Sequence, residues 1–210
     1  MNRLKIAVTK GRLLDDSLNL FELMGFDCSD VRADTRKLIL PIKNYPLDVV
    51  LSKAADVLTY VSHGVCDLGI VGKDTIMEHG GSFYEMMDLG YGVCRFALAV
   101  PEGSDFYGTY QNRVVASKYP NVTKTYFTEK GMDVSVIKIE GSVELAPLVG
   151  LADGIVDIVQ TGTTLKENGL TPIETVAPVS ARLIANTASM KLYHTEIFDL
   201  MDRIEAVKAC

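Results

Sequence analysis

Apolar positions along this chain follow two rhythms. Short branched runs at Leu4–Val8, Asp48–Ser52, Asp67–Val71, Cys94–Val100, Val114–Ser117, Val134–Ile139 and Gly154–Val159 have the length and composition of buried strands. Between them the spacing lengthens. Leu14, Leu18 and Phe21 fall at i, i+4 and i+7, which predicts an amphipathic helix over residues 12–24, stopped by Gly25. Further helices are predicted over Asp56–Ser62, from Gly72-Lys73-Asp74 onward, over Asn121–Lys130, around Glu144, Leu145 and Leu148 with Ser142 as cap, and over Leu165–Asn168. A last one covers Tyr193–Lys208, where Ile197, Leu200, Met201, Ile204 and Val207 share a face. Leu38–Leu40, Pro172–Pro178 and Arg182–Asn186 read as extended, and Pro101–Asn112 as a polar loop. Strands alternating with helices predict an α/β protein with mostly parallel sheets. With no long linker, two lobes need short crossovers, placed near Asp88–Gly92 and Ala177–Arg182. The first lobe is then 1–90 plus 180–210 and the second 91–179, with a cleft between them as the expected ligand site.

The chemistry concentrates in Glu140–Leu165. The run Ile155, Val156, Ile158, Val159 is broken once, by Asp157, and then gives way to Thr161-Gly162-Thr163-Thr164. A strand passing through a small-residue turn into a helix directs several backbone N–H groups at one spot, which suits a phosphate. An acid within an apolar strand is costly to bury unless partnered or placed at the strand's open end. Four residues ahead of a phosphate loop, Asp157 suits sugar hydroxyls. Phosphoribosyl-binding loops usually carry two adjacent acids, and here Val156 occupies the first place. Glu144 is one residue short of the capping-box position and so has no helix-end duty. A second regularity is that three strands end in lysine at the turn into a helix, at Lys10, Lys53 and Lys73. That predicts one sheet edge rimmed with positive charge, the edge at which α/β proteins bind ligands.

Composition narrows the alternatives. Of 210 residues, 48% are hydrophobic and 23% charged, as in ordinary globular proteins. No apolar run is long enough to span a bilayer, and a strand begins within a few residues of Met1, so a cytoplasmic protein without a signal peptide is expected. The net charge of −6 argues against a nucleic-acid partner. Cys28, Cys66, Cys94 and Cys210, like His63, His79 and His194, lack metal-ligand spacing, so no metal held by protein side chains is expected. A receptor-type binding module would need an export signal, and an effector domain would need an attached DNA-binding element.

With KGRL at Lys10–Leu13, RKL at Arg36–Leu38, DLGIVGKD at Asp67–Asp74, ASKYPNVT at Ala116–Thr123 and EGSVELAPLVGLADGIVDIVQTGTTLKENGL at Glu140–Leu170, the chain resembles the ATP phosphoribosyltransferases over nearly its whole length. The resemblance implies a two-lobed fold like type II periplasmic binding proteins. It implies a glycosyl transfer that joins N1 of ATP adenine to C1′ of phosphoribosyl pyrophosphate and releases pyrophosphate, the first step of histidine biosynthesis. It further implies the short form, which works with a separate subunit resembling histidyl-tRNA synthetase in a hetero-oligomer whose catalytic subunits are dimeric.

On that reaction Thr161, Gly162, Thr163 and Thr164 are expected to anchor the 5′-phosphate and Asp157 the ribose hydroxyls, with Glu144 a further phosphoribosyl pyrophosphate contact whose role is open. Lys10, Arg12, Arg36 and Lys53, with Mg²⁺ carried mainly by substrate phosphates, are the expected catalytic charges that neutralise the departing pyrophosphate. Gly11, Lys73, Asp74 and Tyr119 are the expected ATP contacts. Lys53 stands where many relatives have Arg, a point charge in place of a bidentate fork. Ala54 and Leu58 replace prolines common in that helix turn.

Overall fold

The structure is a computed structural model that describes residues 3–33, 36–108 and 112–208. Cys210, and residues 109–111 of the loop expected over Pro101–Asn112, lie outside the described residues. The chain divides into two compact units, Met1–Gly92 with Ser180–Cys210, and Val93–Val179.

The first unit opens with β1 (Leu4–Thr9), α1 (Arg12–Leu23), α2 (Ser29–Arg32), β2 (Ile39–Pro41) and β3 (Leu47–Ser52). It continues through α3 (Ala54–Ser62), β4 (Leu68–Gly72), α4 (Lys73–His79) and β5 (Tyr84–Asp88). The second unit holds β6 (Cys94–Pro101), β7 (Arg113–Ser117), α5 (Pro120–Glu129), β8 (Val134–Lys138), α6 (Leu145–Leu148), β9 (Gly154–Val159), α7 (Thr163–Glu167) and β10 (Leu170–Val179). The chain then returns to the first unit as β11 (Ala181–Ala185), α8 (Ser189–Leu192) and α9 (His194–Lys208).

In the first unit the sheet order is β2-β3-β1-β4-β11-β5. β1 is central and buried on both faces: Ile6 and Val8 join the core under α1 and α9, while Ala7 joins Val57 and Val61 of α3. Gly69 of β4 lets α3 approach closely, since a Cβ there would come within 2.8 Å of Val57 and 2.9 Å of Val61. The second sheet runs β10-β6-β9-β7-β8. Its central β9 sends Ile155 and Val159 toward the α6 and α7 side and Val156 and Ile158 toward α5.

The sheets are mixed, not mostly parallel. Parallel pairing is confined to β3-β1-β4 and β9-β7-β8; β2, β5, β6, β10 and β11 all pair antiparallel. Parallel neighbours need a crossover, which the helices supply only in those stretches; β10 and β11 follow one another across the unit boundary, β10 running against β6 and β11 against both β4 and β5.

Two local expectations also change, and one strand forms where no pattern predicts it. β5 lacks the branched alternation that betrays a strand and forms because β11 offers it an edge. α7 starts at Thr163, not Leu165, so two of the threonines are helical. Ser142 is not a cap: α6 is a single turn whose N-cap is Glu144, already at φ −58 and ψ −25, and the turn closes by backbone bonds from Leu145 to Ser142 and Ala146 to Val143.

Candidate active site

The loop after β9 is built by local geometry. Gly162 sits at φ 82, where any side chain is strained, and caps α7. This sharp turn sets the hydroxyls of Thr161 and Thr163 3.1 Å apart, and the Thr163 amide reaches the Thr161 hydroxyl at 3.4 Å. The first amides of a helix have no carbonyl one turn back, so they remain available to an incoming acceptor. Leu165 anchors the turn from below, buried among Val143, Ala146 and Val159.

These groups face a hollow of about 350 Å³ lined by Glu144, Asp157–Gln160 and Thr161–Leu165. The six expected phosphoribosyl residues are therefore brought together, and Gln160 joins them. A glutamine after an apolar strand carries no distinguishing signal in the sequence; only its position between Asp157 and the threonines points to Gln160. Burial raises the Asp157 pKa, against the pull of the Ile158 amide, and the Glu144 charge adds to the rise while Lys118 opposes it. Two carboxylates, three hydroxyls and the amides of the turn on one wall are suited to a polyhydroxylated phosphate ester.

A second hollow of about 340 Å³ lies at the amino end of β1 and β3, against α9. Three of its polar groups are engaged with one another: the Tyr45 hydroxyl donates to Asp199 at 3.0 Å and Arg203 donates to the same carboxylate at 2.9 Å. Ligands of α/β sheets gather at the opposite, carboxyl ends of strands.

In the first unit, β3, β1 and β4 are adjacent and parallel, so Lys10, Lys53 and Lys73 do share one sheet edge; the Lys10 amide donates to the Ser52 carbonyl at 3.0 Å. Lys10, Gly11, Arg12, Arg36 and Lys53 are exposed. Lys73 is instead bonded to Glu85 at 2.6 Å, and Asp74 is half-buried at the start of α4. Tyr119 is half-buried in the second unit, its ring edge-on to Phe96 at 4.8 Å.

Comparison with known proteins identifies the family. The family model HisG, ATP phosphoribosyltransferase, matches residues 53–206. The ATP phosphoribosyltransferase of Listeria monocytogenes serotype 4b is 54% identical over 207 residues, covering 99% of this chain and 97% of its own. That of Clostridium kluyveri is 52% identical over 203 residues, covering 97% and 93%. Among solved structures, a chain of the ATP phosphoribosyl transferase (HisG:HisZ) complex from Thermotoga maritima superposes with a TM-score of 0.81 at 30% identity, covering 97% of this chain and 98% of that one. The periplasmic aliphatic sulphonate binding protein SsuA from Escherichia coli shares the fold at a TM-score of 0.63 and 13% identity, covering 100% of this chain and 73% of its own. The chain thus belongs to the ATP phosphoribosyltransferase family, the pentosyltransferases that open histidine biosynthesis by joining ATP to phosphoribosyl pyrophosphate.

Proposed function

We propose that the hollow beside β9 is the phosphoribosyl subsite of this transferase. The observation that carries the reading is the shared wall of Glu144, Asp157 and the Thr161–Thr164 turn. Thr161, Thr163 and Thr164 hydroxyls and the turn's amides bind the 5′-phosphate, while Asp157 and Glu144 accept hydrogen bonds from the ribose hydroxyls. During transfer the N1 lone pair of adenine forms the bond to C1′, and the C1′–O bond breaks with its electrons passing to the diphosphate. The ribose becomes cation-like as this happens. Two fixed carboxylates beneath it stabilise that charge without reorganising, which is how an enzyme favours the transition state over the bound substrate.

Lys10, Arg12, Arg36 and Lys53 are assigned to the diphosphate, and Gly11, Lys73, Asp74 and Tyr119 to ATP. Lys73 reaches a phosphate only by giving up Glu85, whereas the exposed Lys10 and Lys53 need no such exchange. Among the described residues no cluster of three or more His, Cys, Asp or Glu is placed to hold a metal ion. Magnesium is read as the counter-ion that the substrate phosphates bring with them.

The assembly is read as a hetero-oligomer with a regulatory subunit resembling histidyl-tRNA synthetase, on the analogy of the Thermotoga maritima complex. Incubating the purified chain with ATP, Mg²⁺ and phosphoribosyl pyrophosphate is expected to release pyrophosphate, faster when the regulatory subunit is added. Absence of release under both conditions overturns the reading.

A further inference from the structure

One positive charge lies next to Asp157. Lys118 directly follows β7, and the parallel register with β9 sets Ala116 beside Ile155 and Ser117 beside Val156. One step on, Lys118 falls beside Asp157. The two strand ends are tied there, because the buried Ser117 hydroxyl donates to the Val156 carbonyl at 2.6 Å. Facing follows from alternation: Ala116 and Ile155 lie in one apolar cluster, Val115 and Val156 in the other. Lys118 and Asp157 therefore leave the sheet on the same side, the side of α6 and α7. On its other flank the Ile139 amide donates to the Ser117 carbonyl, which brings Glu140 near.

Neither neighbouring acid claims the ammonium. Glu140 is closed on Lys138 at 2.7 Å, and the Asp157 carboxylate takes the Ile158 amide. Among the described residues Lys118 forms no ion pair, whereas Lys73, Lys130 and Lys138 each close on a carboxylate. It is exposed, so it remains hydrated and available. Its field nonetheless reaches both acids.

The sugar's geometry decides what such a cation meets. This step rests on the phosphoribosyl reading given above. With the 5′-phosphate on the turn after β9 and the ribose hydroxyls on Asp157, C1′ lies at the hydroxyl end of the ring, away from the 5′-phosphate. Lys118 stands one strand over from Asp157 on the same face of the sheet, and on this reading it meets the group attached at C1′. We propose that Lys118 is a diphosphate-binding catalytic residue, whose ammonium bonds a non-bridging oxygen of the diphosphate and stabilises the charge it gains as the C1′–O bond breaks.

The test uses the full chain with its regulatory subunit and titrates phosphoribosyl pyrophosphate and ribose 5-phosphate separately, in Mg²⁺. Lys118→Met is expected to bind phosphoribosyl pyrophosphate about tenfold more weakly, as for loss of one charge-assisted hydrogen bond. Its single-turnover rate should fall by roughly 10²-fold, the scale of one lost transition-state donor. Affinity for ribose 5-phosphate should stay within about twofold, because the turn still holds it, and Lys118→Arg should recover most of the rate. Wild-type behaviour of Lys118→Met toward phosphoribosyl pyrophosphate, or an equal loss of both ligands, overturns the proposal. Asp157→Asn separates the two levels of inference. If it too keeps wild-type affinity for both ligands, the subsite reading itself fails; if it weakens both while Lys118→Met weakens neither, only the role of Lys118 fails.

Discussion

Asp157 sets the cost of a buried acid against the ribose-binding role proposed for it. Its burial holds the carboxyl above the ordinary value of 3.8, so between that value and the folded one the native state binds more protons than the unfolded state. Stability therefore falls as pH rises through that window, and at neutral pH the ionised carboxylate is a standing cost. Asp157→Asn keeps an oxygen for the Ile158 amide and removes the charge. We expect it to gain on the order of 1 kcal/mol at pH 7, or roughly 2–4 °C in Tm, while binding phosphoribosyl pyrophosphate more weakly. Thermal unfolding and ligand titration on one preparation check both halves; a lowered Tm would mean that the charge is compensated in the free protein. Gly162 illustrates a different residue-level constraint, because its φ of 82 is what turns the threonines toward one another.

The most specific contact between elements is polar. Lys130 at the end of α5 donates to Glu174 of β10 at 2.5 Å, and Tyr107, in the loop after β6, donates to the same carboxylate at 2.6 Å. Lys130 also reaches the hydroxyls of Tyr107 and Tyr126 at 3.1 and 3.2 Å and lies over both rings. A helix, a strand and a loop are thus joined at one carboxylate. The Lys130 hydrogen bond, followed by those of the tyrosines, holds the Glu174 carboxyl down at about 2, against an ordinary 4.5. That contribution is present above pH 4.5 and is lost as pH falls through the folded value. Both side chains are about a third exposed, which screens the pair. Glu174→Gln is expected to cost about 1 kcal/mol at pH 7, and the deficit should shrink as pH is lowered from 4.5 toward 2. Urea unfolding of both proteins at pH 7 and pH 3 reads this directly, and a deficit independent of pH would assign the loss to packing.

At the scale of the molecule, each unit has its own two-sided core: Ile6, Leu47, Leu68 and Leu183 belong to the first, Phe96, Leu98, Val115 and Val156 to the second. Cores without shared residues can open separately. Leu98→Ala removes a fully buried side chain and is expected to cost about 2–5 kcal/mol. Amide exchange should then accelerate in β6, β7 and β9 while β1, β3 and β4 keep their protection. Uniform acceleration across both sheets would show that the units unfold as one.

Much of the site was legible because its signals are local. The branched run of β9, the single acid within it and the hydroxyl-rich turn after it are neighbours in sequence, and period and burial act over that range. The three lysines at strand ends were equally visible, although only the order β3-β1-β4 puts them on one edge. Long-range pairing decided the rest. Which strands adjoin, and in which direction, depends on the burial and loop closure of the entire chain, so a segment cannot announce its partner. Hence the mixed sheets, the edge strand β5, the place of Glu144 across from Asp157 and the closeness of Lys118 to that acid emerged only with the fold, while the sequence by itself had determined the other strands, most helices and the hydroxyl-rich turn after β9.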